Sequence, residues 1–229
     1  VDTAEGKEYV PLGTFWSGDW NVPEDEVYAA TIGRDRLELL RKSTYSTSEV
    51  LHNKALSFDG VDDYVELPIG LCRAYTTVFK VDENNSEYAS ILTTYSYSGA
   101  RSGFRLRPIG TRLQLQFGYN GSNQIYHIKT IEIGKWYEAK IEFDATYSNI
   151  SVYIDGELLL QENISAYFTT PIENKVVLGR GAIDSSTGGY LKCSIENVEL
   201  SDGTGVIARY NFNEGTGTIA HDSTANANH

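Results

Sequence analysis

The sequence has no methionine among its 229 residues, position 1 included, which points to an excerpt of a longer polypeptide or a processed form. Cysteine is nearly as scarce. Cys72 and Cys193 are too few for a disulfide framework and lack the CxxC spacing of zinc or thioredoxin-like sites, so they read as two separate structural thiols or as one bridge. Cationic side chains are in deficit, with 19 Lys and Arg against 31 Asp and Glu and a formal net charge of -12. Nucleic-acid binding through phosphate neutralisation needs clustered Lys and Arg, and so does an anionic membrane surface; both are disfavoured as partners. No run of about 18 apolar residues occurs to form a transmembrane helix. The start VDTAEGKEYV lacks the basic and apolar regions of a signal peptide. There is no GxSxG elbow, and the four histidines do not assemble into a Ser-His-Asp set. The glycines of GTGT at 215–218 lack the Lys-Ser/Thr of a phosphate loop and read as a turn.

What the chain has is glycine (21) and tyrosine (16) with few helix-period stretches, the composition of an all-β protein with many turns. Residues 1–50 differ from the rest. Tyr9 to Trp16 and Val27 to Ile32 read as strands separated by the turn-rich Ser17 to Pro23. In Gly33 to Lys42 the period changes: Leu37 and Leu40 fall three apart, which suits a short amphipathic helix ending in the cations Arg41 and Lys42. A polar junction at 46–54 follows, and from Ala55 strand signals recur every 8 to 12 residues or so, the spacing of a sandwich or barrel. Ala55 to Pro68 reads as strand, tight acidic turn, strand. Phe104 to Arg107 and Leu113 to Phe117 alternate and would each bury one side, while Asn120-Gly121 and Asp155-Gly156 are strong hairpin signals. Trp136, opening its strand, reads as a core residue.

Several of these stretches also resemble a known family. ALSFDGVDDYVELP at 55–68, WYEAKIEFDATYSNISVYIDGELL at 136–159, Val176 to Gly179 and Leu191 to Leu200 are similar to the laminin-G-like (concanavalin-A-like) domains. The resemblance implies an all-β fold, a two-sheet antiparallel jelly-roll sandwich over 51–229, preceded by a small N-terminal β-β-α segment over 1–50. Gly13 to Tyr45 resembles a piece of bacteriophage tail and baseplate-associated proteins, with an ordinary β-β-α appendage as the alternative. The tail, Ala208 to Asn228, looks like the segment that in many family members precedes the FDGxDDYV corner. Either the strand order is permuted here, the reading favoured, or a second tandem module begins.

That fold hosts lectins, adhesion modules and glycosidases alike. Glycosidase relatives align carboxylates along one strand as E-x-D-x-E; the nearest match, Glu142 to Thr146, has threonine in the third acidic place, and Glu138 and Glu142 read as solvent-facing charges. The chain is therefore expected to be non-catalytic. Calcium needs six to eight hard oxygen donors, and by the resemblance Asp59 and Asp222 are its nominated carboxylates, although Ala225 stands where the family usually has glycine. For ligand binding, Tyr95, Tyr97, Arg101, Arg105, Tyr119 and Tyr126 lie interleaved with Ser, Gly and Asn, a palette suited to stacking on sugars and orienting them. The resulting expectation is a recognition module for a glycan or host-surface receptor in a phage or prophage tail-type protein, beside other virion tail or adhesin domains. A bacterial surface or secreted adhesin, and a glycoside hydrolase or lyase of the same fold, are the alternatives. A virion tail or a cell surface is the expected location.

Overall fold

The core of the protein is a seam of alternating residues pressed between two antiparallel sheets. A computed structural model describes residues 54–83, 87–97, 101–168, 175–184, 189–215 and 217–229, together with the backbone of four short strands nearer the N-terminus. Those four are β1 (Asp2–Thr3), β2 (Gly6–Lys7), β3 (Trp16–Asn21) and β4 (Ala30–Arg34), paired β1 with β2 and β3 with β4. Strand β3 occupies the stretch expected to be a turn. Its two tryptophans favour an extended backbone, and a register shift between Ser17 and Trp20 takes up Gly18-Asp19 as an irregularity. Strand β4 takes in Gly33 and Arg34, the expected start of the helix; the rest of that helix and the expected strand over 9–15 lie outside the described residues. By its internal contacts the chain divides into Val1–Val50 and Leu51–His229.

Within the second unit the strands are β5 (Leu56–Asp59), β6 (Val65–Leu67), β7 (Ala74–Glu83), β8 (Leu92–Thr93), β9 (Phe104–Ile109), β10 (Arg112–Tyr119), β11 (Ser122–Thr130), β12 (Trp136–Phe143), β13 (Asn149–Ile154), β14 (Glu157–Asn163), β15 (Val176–Leu178), β16 (Lys192–Ser201) and β17 (Val206–Tyr210). One sheet has the order β11-β10-β9-β8-β15-β6. The other runs β14-β13-β12-β7-β16-β17, with β5 also paired to β16. Among the described residues there is no helix.

Period-two alternation builds the interface between the sheets. Tyr75, Phe79 and Val81 of β7 and Tyr137, Ala139, Ile141 and Phe143 of β12 face Phe104 and Leu106 of β9 and Leu113, Leu115 and Phe117 of β10 in one core. Phe104 sits 5.0 Å from the Tyr75 ring, 5.5 Å from Phe143 and 6.3 Å from Phe117, an aromatic tie across the sandwich. On β16 the phase slips by one residue at a bulge between Ile195 and Asn197, so Cys193 and Ile195 are followed inward by Val198 and Leu200. The same phase rule corrects the expectation for Trp136. Its neighbour Tyr137 takes the inward position, leaving Trp136 half-buried on the other face with the Lys80 ammonium 5.5 Å from its ring centroid.

The acidic corner is not a hairpin. Strand β5 pairs with β16 in one sheet and β6 with β15 in the other, so 59–65 crosses between sheets. The crossing is held by Val61 N donating to Asp59 Oδ1 (2.7 Å) and Asp59 N donating to Asp63 Oδ2 (3.0 Å). At the far end of the chain, β17 pairs with the second half of β16 while β5 pairs with its first half, so the two lie end to end along one edge. Ala208, Tyr210 and Phe212 of the tail belong to the same core.

Candidate functional site

On β9 and β10 the residues between the core positions point to the opposite face of their sheet, and register sets them side by side: Arg105 opposite Gln116 and Arg107 opposite Gln114. Strand β11 extends the rows, with Ile125 beside Gln116 and His127 beside Gln114. Alternation alone leaves this face open to solvent. The structure instead buries it in part, because Tyr88 and Tyr97, on either side of β8, and Gly181, just after β15, close on it; Arg105 is 2% exposed and Arg107 9%. Asp184 ties the segments after β8 and β15 together by accepting from Ser96 Oγ (2.6 Å) and Tyr97 N (2.9 Å). What stays open is a cleft of about 400 Å³ lined by Glu87, Tyr88, Tyr97, Arg101, Arg107, Asn123 and their neighbours.

Arg105 is the knot of its floor. Its Nε and Nη2 donate to Gln116 Oε1 (3.2 and 3.0 Å), and its Nη1 donates to Tyr88 O (3.0 Å), the Tyr97 hydroxyl (3.0 Å) and Gly181 O (3.1 Å). The guanidinium also stands 4.8 Å from the Tyr95 ring centroid and 5.6 Å from that of Tyr97. Arg107 donates from Nη1 to Glu87 O (3.0 Å) and from Nη2 to Gln114 Oε1 (3.2 Å), and its Nε has no partner among the described residues. Burial, then the like charge of Arg105, push the Arg107 guanidinium down to about 10. At one wall the Asn123 amide satisfies its neighbours with its oxygen toward Arg101 Nη1 and Gln116 Nε2 (both 3.1 Å) and its nitrogen toward the Tyr95 hydroxyl (2.7 Å). Tyr88, 54% exposed, and Ile125 supply accessible apolar surface.

No family model and no curated protein matches the sequence. Solved structures do resemble it. A candidate carbohydrate-binding protein from Bacteroides ovatus aligns with a TM-score of 0.50 at 14% identity, over 76% of this chain and 57% of that one. Mouse laminin α1 domains LG4-5 align at 0.49 and 13% identity, over 78% of this chain and 48% of that one. The CBM40 of Ruminococcus gnavus IT-sialidase, bound to α2,3-sialyllactose, gives 0.49 and 11%, over 67% and 93%. The fold is an all-β jelly roll of two antiparallel sheets. The chain spans about half the length of the first two of these structures.

In this jelly roll three of the residues proposed from sequence, Tyr97, Arg101 and Arg105, line the cleft. Tyr95 lies beneath it, fully buried, its ring edge-on to Tyr97 at 5.1 Å. Tyr126 belongs to the opposite side of β11, packed on the core and hydrogen-bonded through its hydroxyl to that of Tyr167. Tyr119 ends β10 at the Asn120-Gly121 turn and does not line the cleft. Sequence reasoning missed Arg107, Gln114, Gln116 and Tyr88. The signal for the first three was the paired alternation of Arg-x-Arg with Gln-x-Gln, read only as a sign of one buried face.

The calcium residues do not share a place. Asp59 groups with Asp62 and Asp63, all exposed, whose ligand oxygens lie within 4.8 Å of one another. These are hard donors of the right kind, with one oxygen of Asp59 and one of Asp63 already bound by backbone N–H. Asp222 is buried between β17 and the C-terminal turn. Its Oδ1 accepts from Arg209 N and Thr224 N, and its Oδ2 from Thr224 Oγ1, Asn228 N and Asn228 Nδ2. Five N–H and O–H donors leave this carboxylate little room for a cation. The candidate acids lie on β12, away from the cleft: Glu142 is paired with Lys140 at 2.6 Å, and Asp144 holds the next turn through Ser148 N (2.8 Å) and Asn149 Nδ2 (2.6 Å).

Proposed function

We propose that this jelly roll is a non-catalytic glycan-binding module and that the cleft over β9 and β10 is its site. The observation that carries the reading is the composition of the cleft: two arginines on its floor, amides of Gln114, Gln116 and Asn123 on its walls, and the exposed Tyr88 beside Ile125. Forked donors and amides orient sugar hydroxyls, and an accessible ring offers a stacking surface for a sugar C–H face. Glu87 is the one carboxylic acid among the lining residues. Glycoside hydrolysis ordinarily needs two carboxyl groups flanking the scissile bond, which favours binding over cutting. The likeness to a candidate carbohydrate-binding protein from Bacteroides ovatus agrees with this reading.

A glycan array on the intact protein tests it. Tyr88→Ala is expected to weaken retention of any bound glycan about tenfold, the loss of one stacking contact. Tyr153→Ala, on the other sheet, serves as the control and should leave retention unchanged. An array with no retained glycan would overturn the proposal; release of reducing ends from a polysaccharide panel would replace it with a hydrolase or lyase.

For setting, the TFWSGDW segment motivates a virion tail-type protein, with a bacterial surface or secreted adhesin as the second reading. For the ion, the corner Asp59, Asp62 and Asp63 is where a structural calcium would sit. An unfolding midpoint that is the same in excess Ca²⁺ and in EDTA would remove it.

A further inference from the structure

Three buried arginines allow a comparison within one molecule. Arg180, 7% exposed, is neutralised in the usual way by Glu66, 3.0 Å away. Arg105 and Arg107 are not. They stand two residues apart on the same face of β9, and every acceptor they meet among the described residues is neutral: the carbonyls of Glu87, Tyr88 and Gly181, the amides of Gln114 and Gln116, and the Tyr97 hydroxyl. Neither forms an ion pair with a described residue. The stretches 84–86, 98–100 and 185–188, which adjoin the cleft segments in sequence, read Asn-Asn-Ser, Ser-Gly-Ala and Ser-Ser-Thr-Gly and contain no acid. In a chain with 31 acidic residues against 19 basic ones, two adjacent buried guanidiniums with no ion pair among the described residues, and only the Glu87 side chain of the cleft lining to attract Arg107, go against the overall charge balance.

Dipoles satisfy hydrogen-bond geometry but do not cancel charge, and burying an uncompensated ion costs several kcal/mol even after relaxation. For Arg105 the cross-linking of both covering segments offsets that cost. Arg107 ties down only one of them, through the Glu87 carbonyl. Among the described residues it uses two of its five N–H groups and leaves Nε unmatched. Arg101, reaching the same cleft through Asn123, adds a third cation at the wall.

Resting on the glycan-binding reading above, we infer that the cleft selects acidic saccharides, with Arg107, supported by Arg105 and Arg101, holding the carboxylate or sulfate of one sugar unit. A guanidinium presents parallel N–H donors that match such oxyanions two at a time, and a partly desolvated site strengthens the pair. Glu87 at the rim then disfavours any approach that does not bring the anion onto the arginines.

The test follows the arginine Nε–H signals of the intact ¹⁵N-labelled protein during titration with methyl β-D-glucuronoside, glucose 6-sulfate and methyl β-D-glucoside. One or both acids should shift the Arg107 Nε–H signal, and the one that does identifies the oxyanion; the neutral glucoside should leave it in place. Arg107→Gln should weaken the acid about tenfold, and Arg107→Lys, which keeps the charge, by less. If the neutral glucoside moves Arg107 as strongly as the acids, the inference falls while the glycan-binding reading stands. If neither acid moves it, the inference also falls, and the array then decides the broader reading separately. Should Arg107→Gln fail to fold, the three titrations of the unmodified protein still decide.

Discussion

Asp222 is 5% exposed and accepts five hydrogen bonds from the strand before it and the turn after it. Burial works to raise its pKa, but the bonds from Arg209, Thr224 and Asn228 together outweigh it and hold the carboxyl well below the usual carboxylate range. A depressed folded pKa contributes stability above the unfolded value and loses it as pH falls through the folded one. Stability should therefore drop as pH is lowered below about 4. Asp222→Asn should flatten that fall, measured as thermal midpoints between pH 5 and pH 3. At pH 7, Asp222→Ala should lower the unfolding free energy by about 3 kcal/mol in urea, since it strands several donors. The cysteines behave oppositely. Both are buried and unpaired; burial pushes Cys72 up to about 12 and Cys193 higher still. Thiolate is the reactive form, so a thiol reagent at pH 8 should find neither in the native protein and two after denaturation.

At the scale of elements, the two hairpins anticipated from Asn-Gly and Asp-Gly form as local chemistry dictates. Asn120 and Gly121 have φ of 45° and 80°, Asp155 and Gly156 of 53° and 79°, the doubly left-handed turn that matches strand twist. Gly156 has open space where a side chain would go, so Gly156→Ala should cost only the strain of its φ, about 1 kcal/mol. Gly103 also has positive φ, but a Cβ there would lie 2.2 Å from the Thr94 carbonyl oxygen. That carbonyl belongs to the backbone between β8 and the cleft and has nowhere to go. Gly103→Ala is expected to destabilise by about 3 kcal/mol or more, and to disturb glycan retention as well; denaturation midpoints of the two variants, compared side by side, check the difference. Trp136 shows the limit of reading single strands: alternation fixes which residues share a face, and the inward face is decided by the sheet opposite.

At the scale of the molecule, β17 and the tail are integral to the sandwich. Removing 206–229 would strip Ala208, Tyr210 and Phe212 from the core and bare half of the β16 edge. The shortened chain should aggregate or fail to give a cooperative unfolding transition. The sequence determined the class of fold: alternation of period two, glycine-bearing turns and the FDGVDDYVEL corner all act over a few residues, and local stereochemistry is enough to write them. It also put Tyr97, Arg101 and Arg105 in one region, because they are near in the chain. Tertiary structure alone decided that the corner crosses between sheets, that Asp222 closes a turn, and that Arg107 is buried beside Arg105 with the Glu87 carbonyl brought against it. Burial and charge compensation depend on what distant segments bring to a position, and no pattern along a single strand contains that information.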